Sequence, residues 1–337
     1  MKYHILGIFF LVASCFYACQ NSASESAGNE ADDVDVSGIQ VKVNIERLED
    51  SLMKLENPTQ LKDFLARHKV FVETFYQTPV NDTALIARLD MLIHHPAIHE
   101  LYQQTQQKFG DLKDLKQEFE TAFKHIKFYY PDFKEPRIIT TFAGLDNELV
   151  VTDSLVIIPL ESFIGPKAKY RPQHPNYMLR RYDKPYIVPT VVTLLSKKYN
   201  HIDINDRTLL ADMVFYGKGF EFTRAMIPNL PDSVVIAYAD SNLVKSWNAQ
   251  AYVWAHFIDN QLLYETNDRI KDKYIGERPY VTEIGTDCPG RIGQWLGWRI
   301  VSRYRTENPS VTLVELMKNA NAREIFEQAK YKGQKDD

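Results

Sequence analysis

The stretch IITTFAGLDNELVVTDSLVII, residues 138–158, lies between two helical regions and decides the fold class. It contains three runs rich in β-branched and aliphatic residues, 138–142, 149–151 and 155–158, separated by segments rich in Gly, Asp, Asn and Ser. β-Branched side chains favour strands, and the separating residues favour turns. The stretch therefore predicts a short three-stranded β meander.

On both sides of this stretch, apolar residues recur at helical spacing. Ile45, Leu48, Leu52 and Leu55 predict a first helix that starts at Ile45. Further along, Asp206 is the predicted N-cap of a helix beginning at Leu209, and one long helix is predicted over 243–258. The prediction is a mainly α protein with a small β meander, an α+β fold, in one domain over residues 41–337.

Charge and cysteine content exclude several classes of protein. The 337 residues include 40 Lys and Arg against 44 Asp and Glu, a net charge of −4, with a pI near 6.2, so nothing predicts nucleic-acid binding. Two of the 3 cysteines are Cys15 and Cys19, so the remaining Cys288 has no partner for an internal disulfide.

The N-terminus predicts export and lipidation. An apolar run over 5–12 is typical of a signal peptide, and Ala18-Cys19 resembles a bacterial lipobox. We predict a signal peptide over 1–18, an acylated Cys19 as membrane anchor, and a flexible tether over 19–40. Acylation at Cys15 and an ordinary signal peptide cut near Ala18 are the alternatives. Gln20 is not the Asp that retains lipoproteins in the inner membrane of the best known Gram-negative systems, so the expected location is the outer membrane.

Common catalytic signatures are absent from the sequence. It contains no HExxH, GxSxG, GxxxxGK[ST] or CxxC, so no cofactor and no metal are predicted. The pair His95 and His99 has the i, i+4 spacing of metal ligands, but Pro96 lies between them and no further ligand is evident. Cys288 has no base near it in the sequence, which favours a small buried side chain over a nucleophile.

Residues 289–298 are the candidate partner-binding segment. Gly290 and Gly293 flank Arg291 at the predicted entry to a helix that carries Trp295 and Trp298. Arg291 would hold either a loop or a partner by charge-assisted hydrogen bonds. The two tryptophans would form either part of the core or a partner groove.

Several segments, in this order, resemble the gliding motility lipoprotein GldB family of the Bacteroidetes. The resemblance implies an envelope lipoprotein associated with cell gliding, found also in relatives that do not glide. The segments are the lipobox, 45–48 (IERL), 125–131 (HIKFYYP), 158–165 (IPLESFIG), 213–218 (MVFYGK) and 289–298 (PGRIGQWLGW).

That family is in turn distantly similar to predicted HExxH zinc proteases, which implies a zincin-like helical domain. The positions that match the zinc ligands and catalytic base carry Thr193, Leu194, Lys197 and Tyr216. None of these side chains replaces an imidazole or a carboxylate, so the resemblance implies an inactive relative.

The sequence therefore predicts a non-catalytic envelope lipoprotein that acts as a scaffold or binds envelope protein partners. Two alternatives remain open. One is an envelope hydrolase with an unrecognised site, and the other is a peptide- or glycan-binding lipoprotein that uses its many aromatic residues.

Overall fold

The computed structural model describes residues 34–334. The predicted signal peptide, Cys15, the predicted acylation site Cys19 and the first part of the predicted tether lie outside these residues. Residues 34–40, the end of the predicted tether, contain a turn and no helix or strand.

The described residues form fifteen α-helices, four short 3-10 helices and four strands. The strands are β1 (Ile45–Arg47), β2 (Arg137–Thr141), β3 (Val150–Val151) and β4 (Leu155–Pro159). The helices before β2 are α1 (Leu48–Leu52), α2 (Pro58–Arg67), α3 (Lys69–Phe75), α4 (Thr83–Ile93), α5 (Pro96–Phe109) and α6 (Lys113–Tyr129). Those after β4 are α7 (Ile187–Ser196), α8 (Leu209–Met226), α9 (Asp232–Val235), α10 (Asp240–Asn248), α11 (Gln250–Asp259), α12 (Asp268–Ile275), α13 (Ile292–Glu307), α14 (Leu313–Lys318) and α15 (Ala322–Ala329).

The mainly helical α+β class is confirmed, but the meander is wrong. The sheet has the order β1-β2-β4-β3, in which β1 and β4 pair with β2 in parallel and only β3 is antiparallel. All five residues of β4 are buried, whereas both residues of β3 are half-buried. A strand that is apolar on both faces belongs in the middle of a sheet, so β4 lies between β2 and β3.

The sheet separates two apolar clusters. Val156 and Ile158 of β4 pack into the larger cluster with α6, α7, α8 and α13, whereas Leu155 and Ile157 pack into a smaller one with α2 to α5. Alternate side chains of a strand point to opposite faces, which explains this division.

Three helix boundaries differ from the predictions. Ile45 begins strand β1, which pairs with β2, and α1 starts only at Leu48. Thr208 is the N-cap of α8 and accepts from the Ala211 N–H at 3.2 Å, while Asp206 accepts from the Thr208 hydroxyl at 2.7 Å. The predicted long helix over 243–258 is interrupted at Ala249, between α10 and α11.

Helices α8 and α13 form the centre of the larger cluster. They approach each other through Gly217 and Gly297: a Cβ on Gly297 would lie 1.9 Å from the Met213 carbonyl oxygen, and one on Gly217 would lie 2.4 Å from the Gly297 carbonyl oxygen. Only glycine permits such close backbone contact. A larger residue at either position would therefore force α8 and α13 apart.

Candidate functional site

Trp295 and Trp298 are core residues. Neither side chain is exposed to solvent. Trp295 packs edge-on against Trp247, with ring centroids 5.6 Å apart. The core alternative therefore describes the position of both tryptophans, because neither ring presents a surface to solvent.

A buried carboxylate lies beside Trp298. Glu221 of α8 accepts from the Trp298 indole N–H at 2.8 Å, from Arg224 at 2.6 Å and from Arg305 at 3.3 Å. Burial acts to raise the pKa of Glu221, but the two guanidinium groups outweigh it and hold the pKa below its ordinary value. This network joins α8 to α13 inside the core.

Arg291 lies at the N-cap position of α13 and is mostly buried. Its backbone is left-handed, with φ of 59°. Its Nε is 3.3 Å from the Glu277 carboxylate, and its NH2 donates to the Ala237 carbonyl at 3.2 Å. The guanidinium also stands over the Tyr238 ring, 5.2 Å from the centroid. Arg291 therefore connects the start of α13 to two other loops, which is the loop-holding role considered for it.

Two glycines near Arg291, Gly290 and Gly293, allow the backbone at the end of α12 and just after it to pack closely against the start of α13. A Cβ on Gly290 would lie 1.9 Å from the Arg278 carbonyl oxygen, and one on Gly293 would lie 3.1 Å from the Tyr274 carbonyl oxygen. The chain between α12 and α13 therefore lies directly against the helix start.

A second arginine binds the same carboxylate. Arg181, in the loop between β4 and α7, makes a two-pronged ion pair with Glu277 at 2.6 and 2.8 Å. Two guanidinium groups thus share one carboxylate, with one formal positive charge in excess. The side chains of Arg181 and Glu277 are 23% and 30% exposed, so the group reaches the surface. We call Arg181, Glu277 and Arg291 the arginine centre.

The charges of the arginine centre affect the pKa values of two tyrosines. Burial and the charge of Glu277 raise the pKa of Tyr177, whereas Arg181 and Arg291 act to lower it. Burial also raises the pKa of Tyr216, and the charge of Arg291 opposes that rise. The charge of Arg291 therefore acts on Tyr216, another residue singled out in the sequence.

Tyr216 also lines a cavity of about 260 Å³ at the start of α8, together with Asp212, Lys218 and Ile275. Lys218 is almost completely buried and donates to the carbonyls of His201, Met317 and Asn319 at 2.8, 3.2 and 2.8 Å. Burial lowers the pKa of Lys218 to about 8. Sequence reasoning missed this residue, although a lysine between two glycines in an apolar helix was a signal.

The other three positions matched to a zinc site lie elsewhere. Thr193 is on α7, where its hydroxyl contacts that of Thr223 at 2.7 Å, and Lys197 follows the end of α7 and is exposed. Leu194 is half-buried. None of the three lines the cavity that contains Tyr216. Over residues 34–334, no group of three or more His, Cys, Asp or Glu side chains is placed to hold a metal ion.

Buried acids also lie where the parallel strands end. After β4, Glu161 accepts from the backbone N–H groups of Ala143 and Gly144 at 2.6 and 2.9 Å through Oε1, while Oε2 is buried with no hydrogen-bond partner among residues 34–334. Burial raises its pKa to about 7. After β1, Glu49 is equally buried and accepts from Thr140 at 2.8 Å. An acid inside the apolar run 157–164 was the sequence signal for Glu161.

Comparison with known proteins gives one match. The family model described as gliding motility protein GldB matches residues 29–333. No curated protein and no solved structure matches the chain. In the part of the chain that the structure describes, none of the helices has both the length and the apolar character needed to cross a bilayer.

Proposed function

The chain belongs to the GldB family of gliding motility lipoproteins, and on that premise we propose that it is a lipid-anchored, non-catalytic scaffold of the cell envelope that binds protein partners. The family places it among gliding motility lipoproteins and suggests an envelope location. The proposal takes residues 41–337 as one domain, held at the outer membrane by an acylated Cys19.

The arginine centre is the observation that carries the partner-binding role. It presents an excess positive charge at the surface, and Arg181, Arg291 and Glu277 are fixed by mutual ion pairs rather than free to move. Tyr177 beside it is 37% exposed. Arginine and tyrosine are, with tryptophan, the residues enriched at energetically important interface positions. An acidic segment of an envelope protein is the partner that this charge would attract.

Substitution of Arg181 tests partner binding. Arg181→Ala is expected to remove a partner from the set recovered by crosslinking in native membranes, with a small change in melting temperature, because its side chain is partly exposed.

Arg291→Ala is expected to lower the free energy of unfolding by about 1.5–3 kcal/mol, because a buried charge-assisted hydrogen-bond network is broken. The proposal fails if both variants recover the full set of partners.

Arg171→Ala is the matched control. Arg171 lies in the same loop as Arg181 and is exposed, and within the described part of the chain its side chain donates only to the Pro166 carbonyl, at 2.9 Å. It should leave partner recovery unchanged.

Lipidation of Cys19 is the expected form of the membrane anchor. Intact mass of the detergent-extracted protein should show cleavage before Cys19 and an acylated N-terminus, and Cys19→Ala should lose both. Multiple acyl chains are needed for stable anchoring without a spanning helix. Acylation at Cys15, or an unmodified chain, would overturn this assignment.

We also propose that α7 and α8 retain a zincin-like arrangement without its chemistry. The support for this proposal is that the two helices pack side by side, with the Thr193 hydroxyl of α7 2.7 Å from the Thr223 hydroxyl of α8. The match of Thr193, Leu194, Lys197 and Tyr216 to zinc-site positions rests on the sequence resemblance alone. A hydrolytic zinc site needs about three protein ligands and an open position for water. Threonine, leucine and lysine do not supply them.

Elemental analysis tests the absence of a catalytic metal. The protein, purified without chelator and then supplied with zinc, is expected to retain far less than one zinc per chain and to cleave no peptide. Stoichiometric zinc together with cleavage that a chelator abolishes would make the protein an enzyme.

A further inference from the structure

A second cavity, of about 380 Å³, lies between helices α10 and α11 and the loop over 280–289. Its inner surface is apolar: Val253 of α11, Ile284 and Cys288 of the loop, and Ile292 of α13 line it, and each is at most 9% exposed. Its size and lining are those of sites that bind a small group or side chain.

The mouth of this cavity is aromatic and charged. Tyr252 lines the cavity and is 64% exposed. Tyr280, which is 51% exposed, forms a β-bridge with Pro289, another lining residue. Lys245 and Asp287 form an ion pair of 2.5 Å at the mouth. The opening thus combines the exposed Tyr252 ring with an exposed lysine and aspartate, and Tyr280 lies on the loop that borders it. Lys245 and Asp287 are paired with each other, but an ammonium has three donors and a carboxylate several acceptor sites, so each can also bind a ligand.

This combination favours an extended peptide over a sugar. A peptide that inserts one apolar side chain buries it against Val253, Ile284 and Ile292, while its backbone C=O and N–H find Lys245 and Asp287 at the mouth. A sugar ring carries hydroxyls around its edge, and those that enter the cavity would lack hydrogen bonds, which is costly, because the polar lining residues Lys245, Asn248 and Asp287 are exposed at the mouth. Ser246, a further lining residue, already donates to the Asn242 carbonyl at 2.9 Å.

We propose that this cavity binds an aromatic or branched aliphatic side chain presented by an extended peptide segment of a partner protein. Lys245 and Asp287 bind the peptide backbone at the mouth, and Tyr252 and Tyr280 pack against its neighbouring residues. The site differs from the arginine centre in its residues and in the chemistry that it recognises, so it does not depend on the arginine centre binding a partner.

Cys288 provides a direct reporter, because its thiol lines the cavity and is the one cysteine beyond the N-terminal segment. Full-length protein in detergent is treated with methyl methanethiosulfonate, and modification of the Cys288 peptide is followed by mass spectrometry. The probes are acetyl-Ala-Leu-Ala-amide and acetyl-Ala-Phe-Ala-amide, with acetyl-Ala-Gly-Ala-amide as the matched control peptide. The leucine and phenylalanine peptides are expected to slow modification at least fivefold, and the glycine peptide is expected to have no effect.

Substitutions at the exposed mouth separate binding from folding. Lys245→Gln and Asp287→Asn should each weaken protection at least threefold, whereas Lys198→Gln, which breaks a comparable exposed pair with Asp153 at 3.3 Å, should not. Arg181→Ala should also leave protection unchanged, which distinguishes this site from the arginine centre. Equal protection by the glycine peptide, protection by none of the peptides, or protection by N-acetylglucosamine oligomers instead would overturn the proposal.

Discussion

Gly297→Ala is expected to lower the free energy of unfolding by about 3 kcal/mol, the upper end of the usual cost of overpacking a core. The added Cβ would lie 1.9 Å from the Met213 carbonyl oxygen and 2.4 Å from its carbonyl carbon. These are backbone atoms of α8, which cannot rotate away as a side chain can. Helices α8 and α13 would have to separate, and the contacts of Trp298 with Glu221 would be strained.

Gly285→Ala is the control for this substitution, because a Cβ at Gly285 meets no atom within 4 Å. Its effect should lie within about 0.5 kcal/mol, as for most surface changes. Unfolding by urea, followed by circular dichroism on full-length protein, measures both. If Gly297→Ala unfolds at the wild-type midpoint, the close contact between α8 and α13 does not exist in solution.

Helix α13 also shows which features the sequence could predict. Its apolar spacing and its start after Gly290-Arg291 were evident locally, because periodicity and turn residues are properties of neighbouring positions. Whether Trp295 and Trp298 lie in the core or at a groove was not, because that depends on what packs against each face. Glu221, which receives the Trp298 N–H, is 77 residues away in sequence.

The strand order of the sheet was also beyond what local sequence patterns predicted. The runs that form β2, β3 and β4 were predicted, but the order β1-β2-β4-β3 was not. The continuous apolar run 155–158 is typical of a strand buried on both faces, and it could have indicated a central position for β4. The pairing of Ile45–Arg47 with β2 joins residues about ninety positions apart, which local spacing does not reveal.

The arginine centre was only partly predictable. Arg291 was singled out for its place at a helix entry, whereas Arg181 and Glu277 lie in loops with no distinctive spacing. Arg181 and Glu277 are 96 residues apart and meet only in the folded chain. Buried ionisable groups such as Lys218 were missed for a related reason: the sequence identifies a charged residue, but not the carbonyl groups that surround it.

Glu161 gives the protein a pH-dependent stability. Its pKa in the folded protein is about 7, against an ordinary value of 4.5, because its carboxyl group is fully buried and only partly compensated by the N–H groups of Ala143 and Gly144. Between these two pH values the folded protein binds a proton that the unfolded chain does not. Stability therefore falls as pH rises from 4.5 to 7, and the loss from this group is about 3 kcal/mol at 1.36 kcal/mol per pKa unit.

Glu161→Gln is expected to remove the loss of folding stability that Glu161 causes between pH 4.5 and pH 7. The amide does not ionise, and its oxygen can still accept from the Ala143 and Gly144 N–H groups. The difference in unfolding free energy between variant and wild type should therefore shift in favour of the variant by about 3 kcal/mol from pH 4.5 to pH 7.5. Urea unfolding at a series of pH values measures it, with Glu73→Gln as control, because Glu73 is exposed and paired only loosely with Lys69 at 3.7 Å. Parallel pH profiles for wild type and Glu161→Gln would show that the pKa of Glu161 is the same in the folded and unfolded protein, so that its carboxyl is ionised in the folded protein at pH 7. A group in the described structure, or water admitted beside Oε2, would then have to stabilise its charge.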